Sequence, residues 1–351
     1  MTSASALEQS SSLSPLHAAA GQSLWSYARS SGLRALVLGA SKDPNAKITV
    51  LLISPESGRP VLAIKAPTTD ASARAVEAEV SVLRELDRCR LGPLVATIPR
   101  VVDLVEFDGR TAAVMTAVPG IPLTTSYLQW RHTRSATRVA ADFATVRTWI
   151  AAFQCATAAE SAQVEMDNGV SDRLRRRFFE VKGLDGDLER LTRIYERLRR
   201  EEVPRTTVHG DFWFGNILQD GGRVTGAVDW EASSLAGEPV RDLVRFALMY
   251  ALYLDRRTRA GRPVAGHPGL LARNWGAGVA YAIRGNGWFP ELFRGFLQDG
   301  LARLGASPER WVDAALAGIA EVAAFTDDEA FGRAHLLLFR SLPGPEQLRA
   351  T

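Results

Sequence analysis

The sequence predicts an α+β fold, with a small, mostly antiparallel β-sheet lobe that carries one helix and a larger, mainly helical lobe after it. Short β-rich runs separated by Gly- and Pro-containing turns continue as far as residue 118, and long stretches with helical spacing of apolar residues follow. At 351 residues the chain is also longer than one hydrophobic core usually supports, so two lobes are expected. We place the lobes at residues 21–118 and 119–351, after a Ser- and Ala-rich disordered tail at residues 1–20.

The composition is that of an ordinary globular protein and indicates neither a nucleic-acid nor a membrane partner. The 42 Lys and Arg residues nearly balance the 39 Asp and Glu residues, whereas nucleic-acid surfaces need a marked basic excess. The most apolar stretch, residues 243–254, is too short to cross a bilayer. Cys89 and Cys155 lack the spacing of a disulfide framework or zinc site, so we expect both to pack as small apolar groups. A cytoplasmic monomer or homodimer is therefore expected.

Five β-rich runs and one helix build the first lobe. The runs lie at residues 36–38, 49–53, 61–65, 101–107 and 111–118. The polar segment 39–47 joins the first two, which are expected to form a hairpin. After the third run, residues 72–86 repeat apolar residues at helical spacing and leave Glu77 and Glu79 on a neighbouring face of the helix.

Five long helical patterns build the second lobe. They lie at residues 138–159, 186–202, 239–254, 291–304 and 308–325. Between the second and the third, two short β-rich runs at residues 217–218 and 224–228 flank a Gly221-Gly222 turn. This pattern predicts a small β-hairpin among the helices.

The most informative residues lie on either side of this hairpin. Residues 208–218 read Val-His-Gly-Asp-Phe-Trp-Phe-Gly-Asn-Ile-Leu, and residues 227–231 read Ala-Val-Asp-Trp-Glu. The pattern HGDxxxxN, followed after a hairpin by an apolar-Asp-Trp-Glu run, resembles the aminoglycoside/choline kinase-like phosphotransferase family. The resemblance extends over about residues 33–250 and implies a two-lobed protein-kinase-like fold. It also implies ATP- and Mg²⁺-dependent phosphorylation of a hydroxyl group on a small molecule.

The resemblance implies that Asp211 is the catalytic residue and that Asn216 and Asp229 bind the metal. Phosphoryl transfer needs a carboxylate that orients the attacking hydroxyl group and accepts its proton. Asn216 offers an amide oxygen five residues further on, and the hairpin brings Asp229 back at the end of a strand. Mg²⁺ prefers such hard oxygen ligands and keeps water and phosphate oxygens in its remaining positions.

Lys65 and Glu79 are expected to contribute to nucleotide binding. Lys65 ends an apolar strand and resembles the kinase lysine that contacts the nucleotide phosphates. Glu79 is its expected partner on the following helix, and Glu77 is the competing choice.

The resemblance also implies a hinge that meets adenine and a loop that covers the phosphates. Met115, Thr116 and Val118 are expected in the hinge, although an ordinary buried-strand role fits these side chains equally well. The loop corresponds to residues 39–47, but it lacks the GxGxxG pattern. Its contacts with the triphosphate are therefore not assigned.

His209 and Asp242 are expected to support the catalytic loop rather than to react. His209 could serve as a general base, but the resemblance implies that it braces the loop through hydrogen bonds. Residues 238–243 resemble the Pro-x-x-Asp-Leu element of the family, in which Asp242 would cap or brace the segment.

The identity of the acceptor is the part of the function that the sequence determines least. Trp213 lies inside the catalytic loop and is expected to face the acceptor. Asp327, Asp328 and Glu329 could form an acidic patch for a cationic acceptor, and a solvated turn is the alternative. An aminoglycoside, a sugar or an amino alcohol fits the motif equally well.

Two other functions agree less well with the motif. A protein kinase has His-Arg-Asp where this chain has His209-Gly210-Asp211, and the interval from Asp229 to Asp242 leaves no room for an activation segment. A non-catalytic nucleotide-binding pseudokinase would not need the carboxyl and amide groups that are all present here.

Overall fold

The computed structural model describes residues 22–39 and 46–344, which form two compact units. The first unit contains the described residues up to Arg88 together with Ile98–Val118. The second contains Cys89–Thr97 and the described residues from Pro119 onward. The predicted tail at residues 1–20, and residues 40–45 of the predicted phosphate-covering loop, lie outside the described residues.

The first unit is built on a five-stranded antiparallel sheet with the strand order β1-β2-β3-β5-β4. Its elements are α1 (Leu24–Ser30), β1 (Arg34–Leu38), β2 (Lys47–Ile53), β3 (Pro60–Pro67), α2 (Asp70–Arg88), β4 (Val101–Phe107) and β5 (Arg110–Thr116). In the register of the sheet, Lys65 of β3 pairs with Thr49 on one side and Ala113 on the other. Lys65 thus belongs to a central strand.

The short helix α1 was not predicted, so the sheet unit carries two α-helices rather than one. The Ser23 side chain accepts a hydrogen bond from the Ser26 N–H at the start of α1. Leu24, Tyr27 and Ala28 are buried in the hydrophobic core of the sheet. A helix of seven residues contains too few turns for a clear apolar period in the sequence.

The second unit is mainly helical, as expected. Its elements are β6 (Ile121–Pro122), α3 (Leu123–Tyr127), α4 (Ala136–Ala156), β7 (Ser161–Gln163), α5 (Val170–Arg177), α6 (Leu184–Leu198), β8 (Glu202–Pro204), β9 (Thr206–Val208), β10 (Ile217–Asp220), β11 (Arg223–Ala227), β12 (Ser234–Gly237), α7 (Val240–Leu252), α8 (Ala277–Arg284), α9 (Trp288–Arg303), α10 (Trp311–Phe325) and α11 (Glu329–Ser341). The five predicted helices correspond to α4, α6, α7, α9 and α10. Helices α3, α5, α8 and α11 were not predicted, and three of these four have eight residues or fewer.

Three small antiparallel sheets lie among the helices of the second unit. Strands β10 and β11 form the predicted hairpin, and β6 extends it on the β10 side. Strand β9 pairs with β12, and β7 pairs with β8. The pairing of β9 with β12 and of β10 with β11 fixes both ends of the segment between β9 and β10, which contains Asp211 and Asn216.

Residues 89–97 belong to the second unit although they interrupt the sequence of the first. They contain a 3₁₀ helix, Gly92–Thr97. The Trp149 indole N–H donates to the Thr97 hydroxyl over 2.9 Å, which ties this helix to α4. A long-range contact of this kind leaves no local pattern in the sequence.

The structure bears on two expectations drawn from composition, one about a membrane-spanning segment and one about the cysteines. In the part of the chain that the structure describes, no helix is long and apolar enough to cross a membrane. Cys89 and Cys155 are both exposed, so the expectation that they pack as small apolar groups was wrong. Cys89 directly follows the last residue of α2, and Cys155 lies on the solvent face of the last turn of α4.

Candidate active site

The segment between β9 and β10 is held by alternating aromatic anchors. Phe212 and Phe214 are fully buried. The Phe212 ring stacks on Trp149 and the Phe214 ring stacks on Tyr127, with ring centroids 5.5 and 4.5 Å apart. Asp211 and Trp213 alternate with these two buried side chains, so they are only half-buried and can face a ligand.

The Asp211 carboxylate is held by two side chains. Its Oδ2 accepts a hydrogen bond from Asn216 Nδ2 at 3.1 Å. Its Oδ1 accepts from Arg245 Nε at 3.1 Å and from Arg245 Nη2 at 2.7 Å. The Asp211 side chain is still 34% exposed, so it is oriented and accessible at once.

Arg245 was not among the residues predicted for the site. It lies on α7, three residues after Asp242, and residues three apart share one face of a helix. Because Asp242 was expected to brace the catalytic loop, this spacing could have indicated that Arg245 reaches the same loop.

The Asp242 side chain braces the catalytic loop by hydrogen bonds with the backbone of the loop. The buried Asp242 carboxylate accepts from the His209 N–H at 2.7 Å and from the Gly210 N–H at 2.9 Å. Burial raises the pKa of Asp242 to about 7, against these two hydrogen bonds, which lower it. Asp242 lies within the first turn of α7, which begins after Pro239, so its side chain holds the loop instead of capping the helix.

His209 connects the catalytic loop to the strand that leads to Asp229. Its Nε2 lies 2.9 Å from the Val228 carbonyl oxygen, to which it donates. The ring is buried and packs against Trp230, with centroids 4.6 Å apart. This geometry agrees with a bracing role and gives the imidazole no exposed path to a substrate.

Gly210 allows the loop to pack directly on the chain after Asp229. Its φ is +80°, a conformation that L side chains rarely adopt. A Cβ atom at this position would lie 2.0 Å from the Ala232 carbonyl oxygen. Only glycine fits between His209 and Asp211 without moving one of the two backbones.

Asp229 has a strained backbone at the point where the metal ligand was predicted. Its φ is +66°, a left-handed conformation that is uncommon for a residue other than glycine. The neighbouring residues hold it there: the Val228 N–H donates to the Asn216 carbonyl oxygen at 2.9 Å, and the buried Trp230 indole donates to Ala227 at 2.8 Å. The first of these bonds also places Asn216 beside Val228, the residue that precedes Asp229 and follows the end of β11.

The chemistry of Asn216 and Asp229 suits a magnesium ion. Asn216 directs its amide nitrogen to Asp211, which leaves its amide oxygen for another ligand. Within the described residues, no cluster of three or more His, Cys, Asp or Glu side chains has the geometry to hold a metal ion. Two oxygen ligands fit Mg²⁺, which completes its coordination with water and phosphate oxygens, better than they fit zinc.

A cavity of about 280 Å³ opens beside Asp211 within the second unit. Its charged lining residues are Asp211, Glu231, Arg241, Arg245, Glu321 and Asp327. Arg241 Nη1 lies 3.4 Å from Glu321 Oε1. Burial raises the pKa of Glu321. Four acidic residues and two arginines line the cavity, so carboxyl groups outnumber guanidinium groups around Asp211.

The residues predicted for the acceptor have different locations. Asp327 lines the cavity, whereas Asp328 accepts a hydrogen bond from the Phe331 N–H at 3.0 Å and caps α11, with Glu329 in its first turn. The Trp213 indole packs over Gly215 and is not among the residues that line this cavity. Arg241 and Glu321 carried no sequence signal for the cavity, because only the packing of α7 against α10 brings them together. Glu231 belongs to the Asp-Trp-Glu run, but its place in the cavity was not predicted.

In the first unit, Lys65 and Glu79 form a buried ion pair. Lys65 Nζ lies 2.6 Å from one carboxylate oxygen of Glu79 and 2.7 Å from the other. The Glu79 side chain has no exposed surface, whereas the competing Glu77 is exposed on α2. Of the two candidates, Glu79 is the partner of Lys65.

The three residues predicted for the hinge lie at the end of β5 and just beyond it. Met115 is buried and pairs with Ala63 of β3. The Thr116 hydroxyl accepts from the Arg100 N–H at 2.9 Å, and β5 ends at this residue, two residues earlier than predicted. Val118 is the last residue of the first unit.

Comparisons with solved structures show the fold. Macrolide 2'-phosphotransferase type I is 16% identical over 92% of this chain and 96% of its own, with a TM-score of 0.55. Aminoglycoside phosphotransferase APH(2")-IIa, in a complex with streptomycin and ATP, is 15% identical over 92% and 95%, with a TM-score of 0.50. A thermostable mutant of aminoglycoside phosphotransferase APH(4)-Ia, in a complex with AMP-PNP and hygromycin B, is 16% identical over 88% and 94%, with a TM-score of 0.50. The predicted protein-kinase-like fold is confirmed.

The sequence itself matches a family. No curated protein matches the sequence significantly. The sequence model of the phosphotransferase enzyme family (APH), however, matches residues 47–277. The match includes Lys65, Asp211, Asn216 and Asp229, and it covers well over half of the chain. This protein therefore belongs to the APH phosphotransferase enzyme family.

Proposed function

We propose that this protein is an ATP-dependent kinase that phosphorylates a hydroxyl group of a small molecule. The observation that carries the proposal is the position of Asp211. Its carboxylate is oriented by Asn216 and Arg245 and lies on the wall of a cavity large enough for part of a small ligand. Membership of a phosphotransferase family supplies the reaction class.

In the proposed reaction, Asp211 acts as the general base. The acceptor enters the cavity lined by α7 and α10, and its hydroxyl group donates a hydrogen bond to the Asp211 carboxylate. As the hydroxyl oxygen bonds to the γ-phosphorus, the bond from this phosphorus to the β–γ bridging oxygen breaks and ADP leaves, while the carboxylate accepts the proton of the hydroxyl group. Arg245 and Asn216 keep the carboxylate in one orientation, which reduces the entropy that the reaction must otherwise lose.

The nucleotide is proposed to be ATP. Solved relatives of similar fold contain ATP or AMP-PNP. Lys65, held in position by Glu79, is proposed to contact the nucleotide phosphates, and Met115, Thr116 and Val118 to line the adenine site through their backbone. Burial of the Lys65–Glu79 pair supports a positioned lysine, because an ordinary surface lysine has no such fixed partner.

Asn216 and Asp229 are proposed to hold Mg²⁺. When bound, the ion would neutralise negative charge on the phosphates of the nucleotide. The strained backbone of Asp229 fixes the direction of its carboxylate relative to Asn216. His209 and Asp242 keep the two halves of the site in register through the hydrogen bonds to Val228, His209 and Gly210.

The cavity favours an acceptor that carries a hydroxyl group and at least one amine. Four of the six charged side chains that line it are acidic (Asp211, Glu231, Glu321 and Asp327), and two are basic (Arg241 and Arg245). An ammonium group is the complementary partner for such a surface. Aminoglycosides and amino alcohols meet this requirement better than neutral sugars, and two of the solved relatives were determined with an aminoglycoside antibiotic.

The test is a screen for ADP release by the full-length protein with Mg-ATP. The library contains aminoglycosides, other hydroxylated antibiotics, amino alcohols and sugars. We expect acceptor-dependent ADP release with at least one amine-bearing alcohol. Asp211→Asn should abolish it, and Asp220→Asn, which changes an exposed aspartate at the end of β10, should not. Nucleotide-dependent thermal stabilisation without ADP release from any compound would instead indicate a nucleotide-binding protein without catalysis.

A further inference from the structure

A second cavity, of about 70 Å³, is lined by four arginines and by no acidic residue. The arginines are Arg131, Arg134, Arg256 and Arg257. They come from two separate segments, the one that follows α3 and the one that follows α7. All four are exposed to solvent, and together they give the mouth of the cavity a positive potential that favours an anion.

Three of these four guanidinium groups lie over aromatic rings. Trp130 is 69% exposed, more than any other tryptophan that the structure describes. The guanidinium carbons of Arg134 and Arg131 lie 4.9 and 5.8 Å from the centre of its ring. Arg256 lies 5.6 Å from the ring of Tyr253. Such cation–π contacts hold the arginines near the cavity without neutralising their charge.

The segment that carries Trp130 is held rigidly on the protein. Arg131 has a φ of +63°, an uncommon conformation that persists only where the surroundings enforce it. His132 next to it is buried and bonded to the buried Asp142 at 2.7 Å. A Cβ atom on Gly266 would lie 2.6 Å from the Arg134 Cα atom, which shows how closely the two segments pack. The arginines therefore stand on a preformed platform.

This cavity differs from the one beside Asp211 but adjoins the same catalytic loop. The two cavities share no lining residue. Tyr127, on the wall of the arginine cavity, stacks on Phe214 of the loop, and Tyr253 contacts Phe214 edge-on with centroids 5.9 Å apart. A ligand in the arginine cavity would contact residues that position the catalytic loop.

We propose that this cavity is a binding site for a small oxyanion, a phosphate or a carboxylate group of a small molecule. The space equals the volume of about two water molecules, so it accommodates one such group rather than an entire acceptor. Arginine forms paired, charge-assisted hydrogen bonds with both anions. The site is distinct from the acceptor cavity, whose lining is mainly acidic, and it does not depend on the proposed kinase reaction.

The test measures anion binding by the full-length protein without nucleotide or Mg²⁺. The probes are inorganic phosphate and citrate. Binding is followed by the change in tryptophan fluorescence, and the contribution of Trp130 is identified as the part of the change that is absent from a Trp130→Phe variant. The site variant is Arg131→Gln/Arg256→Gln. The control is Arg173→Gln/Arg176→Gln on α5, which removes the same charge and also includes an arginine over an aromatic ring, Phe325.

We expect the site variant to bind the better probe about tenfold more weakly or worse, because two charge-assisted hydrogen bonds are lost, while the control binds like the parent. Comparison of phosphate with citrate identifies which oxyanion is preferred. Equal weakening in the two variants, or no binding by the parent protein, would overturn the proposal. Since no turnover is measured, the outcome is independent of the search for an acceptor.

Discussion

At the scale of single residues, the site is built around one carboxylate whose two oxygens are engaged by different elements. Asn216 holds one oxygen from within the catalytic loop, and Arg245 holds the other from α7. The loop contact follows from spacing in the sequence. The contact with α7 depends on packing.

Replacing Arg245 with Gln removes the guanidinium group from Asp211 Oδ1. We expect kcat to fall by about tenfold to a hundredfold, a part of the factor that a general base usually supplies, with little change in the KM for ATP. Steady-state kinetics with the acceptor found in the screen provide the measurement. Arg223→Gln, an exposed arginine on β11, is the control. An unchanged kcat would show that Asn216 alone orients the carboxylate.

Replacing Asp242 with Asn tests the buried brace. Because burial raises the pKa of Asp242 to about 7, the folded protein binds this proton more tightly than the unfolded chain. Its contribution to stability is therefore complete below about pH 4 and is lost as the pH rises to about 7 and beyond. The variant should be less stable than the parent by about 1–3 kcal/mol at pH 5, since its amide cannot accept both backbone hydrogen bonds.

The difference in the free energy of unfolding between parent and Asp242→Asn should shrink between pH 5 and pH 8. Urea denaturation at both values measures it. Comparing the two proteins cancels the contributions of other buried carboxyl groups, such as Glu238 and Glu321. Parallel stability curves across this range would contradict a raised pKa for Asp242.

At the scale of elements, two tight connections hold the predicted site residues in place. In the sheet unit, α2 is tied to β3 through the Lys65–Glu79 pair. In the helical unit, the catalytic loop is pressed against the chain that follows Asp229, where Gly210 makes close approach possible. For each connection, a nearby residue of the same type lacks the contact and can serve as a control: Glu77 for Glu79, and Gly221 for Gly210.

Glu79→Gln should destabilise the protein by about 3–5 kcal/mol, because it removes the negative charge of a carboxylate that contacts the buried Lys65 ammonium. Glu77→Gln changes an exposed glutamate on the same helix and should alter stability by no more than about 0.5 kcal/mol. Chemical denaturation of both variants compares the two. Equal effects would mean that the pair contributes nothing specific to the sheet unit.

Gly210→Ala should reduce turnover and stability together, since the new methyl group meets the Ala232 carbonyl oxygen and φ is positive. Gly221→Ala, in the turn between β10 and β11, has a φ of +55° and no atom within 4 Å of the new methyl group. It should cost only the backbone strain, about 1–2 kcal/mol. Thermal denaturation and ADP release are measured for both variants. If Gly210→Ala lost no more stability and activity than Gly221→Ala, the close packing of Gly210 would have no role.

At the scale of the whole molecule, ligand binding should stabilise the fold through the predicted metal ligands. Asp229→Asn keeps the size of the side chain but removes its negative charge. We expect the variant to need a Mg²⁺ concentration at least about tenfold higher than the parent for the same stabilisation by Mg-ATP. The tenfold figure corresponds to the loss of one charged contact with the ion.

Thermal shift at several Mg²⁺ concentrations, with Asp220→Asn as the control, measures this change. A series is needed because excess metal compensates for a weakened ligand by mass action. If the folded Asp229→Asn protein showed the Mg²⁺ dependence of the parent, Asp229 would not be a metal ligand.

From the sequence we could predict the fold class, the long helices, the β10–β11 hairpin and the motif that contains Asp211, Asn216 and Asp229. These features depend on residues close together in the chain, where periodicity and spacing are direct consequences of backbone geometry. Short helices such as α1 were not predicted, because a few residues show too little apolar periodicity. We did not predict that residues 89–97 belong to the second unit, because this depends on a contact between residues far apart in the chain, Thr97 and Trp149.

Most contacts between distant side chains could not be predicted from the sequence. The structure shows the expected contact of Glu79 with Lys65, but it also places Arg245 on Asp211 and Asp327 on the cavity wall, and Asp328 caps a helix. The physical reason is that charged side chains on a helix look alike in sequence, whether they are solvated or buried. Their partners are fixed by the packing of one element on another, and that information is distributed over the entire hydrophobic core.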